Sequence, residues 1–183
     1  MSIQDDPPTS LGFWPSWAHH IGDLVFGAND GIVTTFAVVS GVTGAALNPA
    51  IAIVLGFANL LADGFSMAAG AYLGQRSEQD YRISVEGHIH EGRIHAVGHG
   101  AAIFFAFLGA GSVPLLPLLF TREHSFAISC AATAVTLFIV GSLRTVITRG
   151  RWLHNGLEML LVGSTAAAVS YAVGHLLGGM ARG

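Results

Sequence analysis

Five uninterrupted apolar runs, each about as long as a bilayer is thick, constrain this chain more than any other feature. A helix needs about 20 apolar residues to cross the hydrocarbon core, and a soluble domain of 183 residues cannot hide several such runs. Charged residues make up only 10% of the chain, well below the roughly one quarter that soluble domains contain. The sequence therefore predicts an all-α integral membrane protein with five transmembrane helices, over residues 24–47, 51–73, 101–120, 126–147 and 157–177.

The polar residues divide the chain into a leading segment and one membrane domain. Residues 1–22 contain two Asp and no basic residue, which is not the pattern of a cleavable signal peptide. We interpret them as a cytoplasmic N-terminal segment. Residues 23–183 then form one five-helix domain, in which residues 75–99 are a short cytoplasmic loop that contains several histidines.

The arginines orient this domain in the bilayer. All eight basic residues are Arg, and the formal net charge is −3, so the chain has no sign of a nucleic-acid partner. The side richer in Arg is normally cytoplasmic. The N-terminus is then cytoplasmic, because Arg76, Arg82, Arg93, Arg144, Arg149 and Arg151 fall on that side, against Arg122 and Arg182 on the other.

Two acidic residues lie deep inside predicted spans, Asp30 in the first and Asp63 in the second. A carboxylate at membrane depth costs several kcal/mol by insertion scales, so it needs a partner, a proton, water or a metal. Asp30 lies in the first span, and we interpret it as functional rather than structural. Asn59, Asp63 and Met67 are spaced i, i+4, i+8 on one face of the second span. Asp63 fits a hydrogen-bonded structural carboxylate equally well, and a lone methionine is more often core filler.

The short turn at Asn48 predicts which of these residues meet. Counting along both helices from Asn48 places Asp30 and Met67 at one depth, with Asp63 one turn farther from the cytoplasm. A carboxylate beside a thioether favours Fe²⁺ or Mn²⁺ over the harder Mg²⁺ and Ca²⁺. Such a weak mixed site suits an ion in transit, so no permanently bound cofactor is expected.

The polar stretch 75–99 and Glu158 supply further candidate metal ligands, and each also has a structural explanation. Glu91, His95 and His99 share a face if residues 75–99 are helical, and imidazole with carboxylate can hold Fe²⁺, Zn²⁺ or Mn²⁺. A solvated connector explains the same residues equally well. Glu158 opens the predicted fifth span, where we favour a role as a helix cap over a place on the metal pathway.

Small residues follow helical spacing on several spans, which lets helix backbones approach closely within a bilayer. These faces pack either within one chain or between copies of it. They are Gly27 with Gly31, Gly41 with Gly44, Gly70 with Gly74, and the row Gly163, Ala167, Ser170, Gly174 and Gly178.

Two segments resemble the vacuolar iron transporter family. Residues 23–36, with the sequence DLVFGANDGIVTTF, are similar to the signature of its first helix. Residues 59–73, with the sequence NLLADGFSMAAGAYL, are similar to its second helix. The segments 114–117 and 156–160 resemble parts of the third and fifth helices, so the resemblance covers nearly the whole chain.

This resemblance implies a homodimer of five-helix protomers with the metal pathway between the first helices. It implies export of Fe²⁺, or Mn²⁺, from the cytoplasm coupled to inward proton movement, with Asp30 as the transport aspartate and Met67 as its methionine partner. Full-length members carry a cytoplasmic Glu- and Met-rich domain between helices two and three, which nodulin-like members lack. The short loops here favour a bacterial plasma membrane over a vacuole.

We therefore expect a transporter rather than an enzyme, with metal ions, protons, the bilayer and a second copy of the chain as its partners. The first alternative is a passive divalent-cation channel that uses the same residues. The second is a membrane-bound metalloenzyme, which would need several histidine clusters, whereas His95 and His99 form the one HxxxH spacing near the membrane.

Overall fold

A computed structural model describes residues 21–86, 93–121, 124–145 and 150–180, without the side chains of residues 86 and 93–95. Every regular element within these ranges is a helix, which confirms the all-α prediction. Nearly all of the predicted N-terminal segment falls outside them. The helices are α1 (Ile21–Gly44), α2 (Pro49–Glu86), α3 (Arg93–Ser112), α4 (Leu116–Phe120), α5 (Ser125–Leu143) and α6 (Trp152–Gly178).

Four of these helices, α1, α2, α5 and α6, are long and apolar enough to cross a membrane. The chain is therefore a multi-pass membrane protein. The predicted third span is divided between α3 and α4, and the apolar part of α3, Ala96–Ser112, is shorter than the other four.

Two prolines divide this third segment. Pro114 follows the end of α3 and cannot donate a backbone hydrogen bond, and Pro117 lies in the first turn of α4. The break leaves the Pro114 carbonyl without a helical partner. The buried Ser129 hydroxyl of α5 donates to that carbonyl at 2.6 Å, so the break is satisfied by a neighbouring helix rather than by water.

The connection between α1 and α2 is short and tightly specified. The Leu47 amide donates to the Val42 carbonyl at 3.1 Å and the Ala46 amide donates to Thr43 at 2.9 Å. Ala46 has a φ of 52°. This is the Schellman pattern that ends helices, although glycine is the usual residue at the left-handed position.

The next helix begins immediately after that pattern. The Asn48 side chain accepts a bond from the Ala50 amide at 2.9 Å, and Pro49 follows Asn48 as the first helical residue. An Asn cap followed by Pro is a favoured helix start. Residues 45–48 therefore form a short, hydrogen-bonded turn. This turn fixes which residues of α1 and α2 lie at the same level.

Glycines bring α1 into backbone contact with α3. A Cβ on Gly27 would lie 2.6 Å from the Ile103 carbonyl oxygen, and one on Gly31 would lie 2.5 Å from that of Phe107. Both pairs are separated by 76 residues, so α1 and α3 run parallel in one register. We call this line of contacts the α1–α3 seam.

A second seam joins α1 to α6. Gly174 packs against the Gly41 backbone and Gly178 against that of Ala45, while the Ser170 hydroxyl donates to the Ala37 carbonyl at 2.5 Å. These contacts also run parallel. The row of small residues on the last helix therefore packs within the chain, whereas Gly70 and Gly74 meet nothing within 4 Å at the Cβ position.

Helix α1 consequently lies at the centre of the bundle, and its side chains Ile32 and Val39 are fully buried, as is Phe107 of α3. Helices α3 and α6 run parallel to α1, and α2 runs antiparallel to α3, since Gly64 packs against the side chain of Phe104 and Gly56 against that of Leu115. We call the end of the bundle at which α1 begins its N-terminal end.

Two helices extend beyond the predicted membrane spans at this N-terminal end. Helix α2 has 38 residues, a length of about 57 Å, so it continues well beyond the roughly 30 Å hydrocarbon core. The stretch predicted as a loop, residues 75–99, is thus mostly the end of α2 and the start of α3. Helix α6 begins at Trp152, one turn before the predicted fifth span, because polar residues at its start also adopt the helix.

The seams predict that one added methyl group has opposite effects at two helical glycines. Gly174→Ala places a Cβ against the Gly41 backbone, so we expect the free energy of unfolding to fall by about 1–3 kcal/mol. Gly70→Ala meets open space, and the better helix propensity of alanine should raise that free energy by up to about 1 kcal/mol. Unfolding in mixed detergent, followed by circular dichroism, measures both. Equal changes in the free energy of unfolding for the two substitutions would contradict the close backbone contact between α1 and α6.

Candidate metal site

Polar groups of α2 form the first part of a site within the apolar bundle. The Asn59 side-chain amide donates to Asp63 Oδ2 at 2.8 Å, one helical turn away. Both side chains are half-buried. This bond fixes the orientation of the Asp63 carboxylate and leaves its other oxygen available to a further partner.

Asp30 supplies a second carboxylate from α1. Its side chain is half-buried, and it lies at the level of Asp63, because the next residues, Gly31 and Gly64, both pack on Phe107 of α3. The next turn of α1 is closed by the Thr34 hydroxyl, which donates to the Asp30 backbone carbonyl at 2.7 Å. Helices α1 and α2 thus bring two acidic side chains together.

The connection between the helices explains this meeting. Asp30 lies 14 residues before the end of α1, and Asp63 lies 14 residues after the start of α2. The predicted equal depth of Asp30 and Met67 is therefore wrong by one turn. The count from Asn48 treats residues 45–47 as part of α1. The structure places them in the turn between the helices, so the middle of the connection lies before Asn48.

Met67 remains part of the same face. It is half-buried and lies four residues after Asp63, about 6 Å closer to the N-terminal end of the bundle by helical rise. A metal that moves along α2 would meet the thioether and then the carboxylates in succession, rather than both at one level.

Two nearby carboxylates within apolar surroundings cannot both stay charged and unpaired, because the loss of hydration and their mutual repulsion both oppose it. The ion pairs found among the described residues join other side chains, and none of them involves Asp30. The arrangement is therefore suited to a cation or a proton that comes and goes.

Asn29, next to Asp30, carries a signal that sequence reasoning missed. Its side-chain oxygen is buried without a hydrogen-bond partner among the described residues. A buried polar atom without a partner costs about 1–3 kcal/mol. Its place beside an intramembrane aspartate could have marked it as a candidate.

Glu158 lies elsewhere and has another partner. It occupies the second turn of α6, so the predicted helix-capping role is wrong; the helix starts earlier and Arg151 precedes it. The Glu158 carboxylate lies 3.5 Å from the Arg144 guanidinium of α5, and both side chains are about half exposed. A place for Glu158 on the metal pathway remains a prediction.

The histidine-containing candidates are divided by the structure. Glu91 lies outside the described residues, and His95 lies in α3 but its side chain is not described. His99 lies in α3 with its imidazole in contact with the Asp23 carboxylate of α1. The sequence did not indicate this pair, because 76 residues separate its members.

Among the described residues, no three His, Cys, Asp or Glu side chains come together as a metal-binding group. The two carboxylates of Asp30 and Asp63 therefore form only part of the coordination that a transition metal requires. A complete site needs further ligands from water, from the amide and thioether groups nearby, or from another chain.

Comparison with known proteins shows the family of this chain. The sequence profile of the VIT family matches residues 21–91 and 81–175. The chain is 33% identical to vacuolar iron transporter homolog 3 of Arabidopsis thaliana, over 84% of this chain and 81% of that protein. The chain belongs to the VIT family.

Two relatives with lower identity align over most of this chain. The chain is 26% identical to the vacuolar iron transporter of Plasmodium berghei, over 86% of this chain and 82% of that protein. It is 25% identical to protein CCC1 of Saccharomyces cerevisiae, over 95% and 74%. As a VIT family member, this protein is a membrane transporter of metal ions rather than an enzyme, so the metalloenzyme alternative is wrong.

The bond between Asn59 and Asp63 predicts a graded effect on transport. Asn59→Ala leaves the Asp63 carboxylate without its orienting donor, and the loss of such a supporting bond weakens metal affinity by about tenfold or more. We expect the KM for Fe²⁺ uptake into proteoliposomes to rise by about that factor. Ser66→Ala, on an exposed position of the same helix, is the matched control. An unchanged KM in Asn59→Ala would remove Asp63 from the pathway.

Proposed function

We propose that this protein exports Fe²⁺, and Mn²⁺ as a second substrate, from the cytoplasm in exchange for protons. The metal site lies between the α1 helices of two copies, with Asp30 of each copy as the principal ligand. The observation that carries this proposal is the placement of Asp30 and Asp63 at one level of an apolar bundle, where Gly31 and Gly64 beside them both pack on Phe107, without an arginine partner among the ion pairs of the described residues.

The exposure of Asp30 supports a second copy. Asp30 is half-buried within one chain, and Phe26, one turn earlier on the same face, is 57% exposed. A carboxylate on the outer surface of a bundle would face lipid, which is strongly unfavourable. A dimer that buries this face turns the exposed carboxylates into an enclosed site and doubles the number of ligands.

The ligand types support the choice of metal. Carboxylates and the Asn59 amide oxygen are hard ligands, and the Met67 thioether is soft. Mg²⁺ and Ca²⁺ gain little from sulfur, whereas Fe²⁺ can bind both kinds of ligand. Metal and protons compete for carboxylates, which is the chemical basis for exchange of one for the other.

Five crossings of the membrane follow if α3 and α4 together make the third span. Helix α3 begins beside the start of α1 and runs parallel to it, and the Pro114 carbonyl that follows α3 bonds to Ser129 near the start of α5. The distribution of Arg then supports a cytoplasmic N-terminal end. The short connections support a bacterial plasma membrane, whereas the Arabidopsis thaliana and Plasmodium berghei relatives are vacuolar by name.

The segment between α2 and α3 distinguishes this chain from some relatives. The alignment with the Plasmodium berghei protein is 224 positions long, more than the 183 residues of this chain, so that relative contains residues without counterparts here. The two matches to the family profile meet at residues 81–91, which supports a missing insert at this point. Glu91 and His95 stay candidate ligands of the short connection.

The central prediction concerns Asp30. Asp30→Asn removes the charge that binds metal while it keeps the size of the side chain, so we expect Fe²⁺ transport to fall at least about a hundredfold. Fe²⁺ uptake into proteoliposomes with an imposed pH gradient measures it. Asp80→Asn, the same change at an exposed aspartate near the end of α2, is the control and should transport normally.

Two results would contradict the proposed mechanism. Normal transport in Asp30→Asn would remove Asp30 from the pathway. Transport that ignores the pH gradient and never accumulates metal would show a passive channel in place of proton exchange.

The proposed dimer predicts a cross-link between α1 helices. In a Cys130→Ser background, the thiols introduced by Phe26→Cys should form a disulfide between copies in membranes, because Phe26 lies on the face of Asp30. Phe65→Cys is the control, since Phe65 is 71% exposed on a face of α2 directed away from α1. Non-reducing gel electrophoresis after mild oxidation measures both. Equal cross-linking of the two variants would argue against an α1 interface.

A further inference from the structure

Asp23 and His99 join the ends of α1 and α3 at the N-terminal end of the bundle. His99 Nδ1 contacts Asp23 Oδ2, and the two residues are separated by the same 76 positions as the glycine contacts of the α1–α3 seam. The side chains are 21% and 23% exposed respectively. The pair thus continues the seam by one turn and remains accessible from outside the bundle.

The pair lies on the face of α1 that carries Asp30, toward the N-terminal end of the bundle. Asp23 precedes Asp30 by seven residues, which is two helical turns and about 10 Å, so both point from one face of α1. Under the proposed orientation this end is cytoplasmic. A metal that arrives from the cytoplasm would reach Asp23 before it reaches Asp30.

We propose that Asp23 and His99 form a receiving site for divalent transition metals, from which the ion passes along α1 to Asp30. This inference rests on the proposed function for its direction. One carboxylate oxygen and one imidazole nitrogen, already in contact across two helices, need only a small separation to hold a metal between them. One carboxylate and one imidazole supply only part of the coordination of a transition metal, so the site binds weakly and releases its ion.

The imidazole gives this site a selectivity that the carboxylates lack. Imidazole suits Fe²⁺, Co²⁺, Ni²⁺ and Zn²⁺, whereas Mg²⁺ and Ca²⁺ prefer oxygen ligands alone. Affinity also rises from Mn²⁺ to Fe²⁺ to Co²⁺ at a given nitrogen-containing site. His99 therefore acts as a specificity-determining residue that favours Fe²⁺ over Mn²⁺ and excludes the abundant hard ions.

A purely structural tie between α1 and α3 is the competing explanation, and the chain allows a direct test. His99→Gln keeps a side chain that can hydrogen-bond to Asp23 but that is a poor transition-metal ligand. His99→Ala removes both functions. His154→Ala is the matched control, because His154 is an exposed histidine near the start of α6, at the same end of the bundle.

The first measurement is equilibrium binding of Co²⁺ to the full-length chain in detergent, by calorimetry and visible absorption. We expect His99→Gln and His99→Ala to weaken the Co²⁺ site equally, by about tenfold or more, and His154→Ala to leave it unchanged. Thermal unfolding of each variant verifies that the fold is intact. Normal Co²⁺ binding in His99→Gln would overturn the inference. This binding result does not depend on whether the protein transports metal.

The second measurement is transport kinetics for Fe²⁺ and Mn²⁺ in proteoliposomes. Both His99 variants should raise the KM for Fe²⁺ more than that for Mn²⁺, with little change in the maximal rate, in contrast to the loss of rate in Asp30→Asn. Unchanged KM values and an unchanged Fe²⁺ to Mn²⁺ preference would overturn the receiving role while the proposed function stands. Loss of transport in Asp30→Asn tests that function separately.

Discussion

The backbone contacts that glycines allow on both sides of α1 are the constraint on which the rest of the structure depends. Apolar helices gain no hydrophobic free energy by associating within lipid, so close packing and hydrogen bonds must hold them together. Gly27 and Gly31 bring α1 against α3, and Gly174 and Gly178 bring α6 against α1. Because these contacts fix α1 in register with its neighbours, they also fix where its acidic side chains lie.

The two carboxylates that meet in the bundle are the costly part of the structure. Asp63 is oriented by Asn59, and Asp30 of α1 lies at the same level of the bundle. Neither hydrogen bonding nor an arginine among the described residues neutralises both charges. Such an arrangement is unfavourable for a static membrane protein and useful for a transporter, since a cation or protons must occupy it in every state. The half-buried position of Asp30 further suits a site that two chains complete together.

The sequence predicted much of this organisation because the bilayer imposes simple rules. Apolar runs of sufficient length predicted α1, α2, α5 and α6, whereas the functional role of Asp30, an acid within such a run, stays a prediction. The depth of Met67 was wrong by one turn, because the hydrogen bonds of residues 42–50 decide where the chain reverses and an apolar pattern does not show them. The contact of His99 with Asp23 depends on the register of two helices, which composition and spacing cannot determine.

The position of α1 also limits how this protein can change shape. Helix α1 is in backbone contact with α3 along one side and with α6 along another, and interlocked backbones of this kind do not slide past each other without a clash. The three helices therefore form a rigid block that carries Asp30 with it. Access to the carboxylates from one side of the membrane and then the other would require tilting of whole blocks, or of α2 against them, rather than movement of α1 alone.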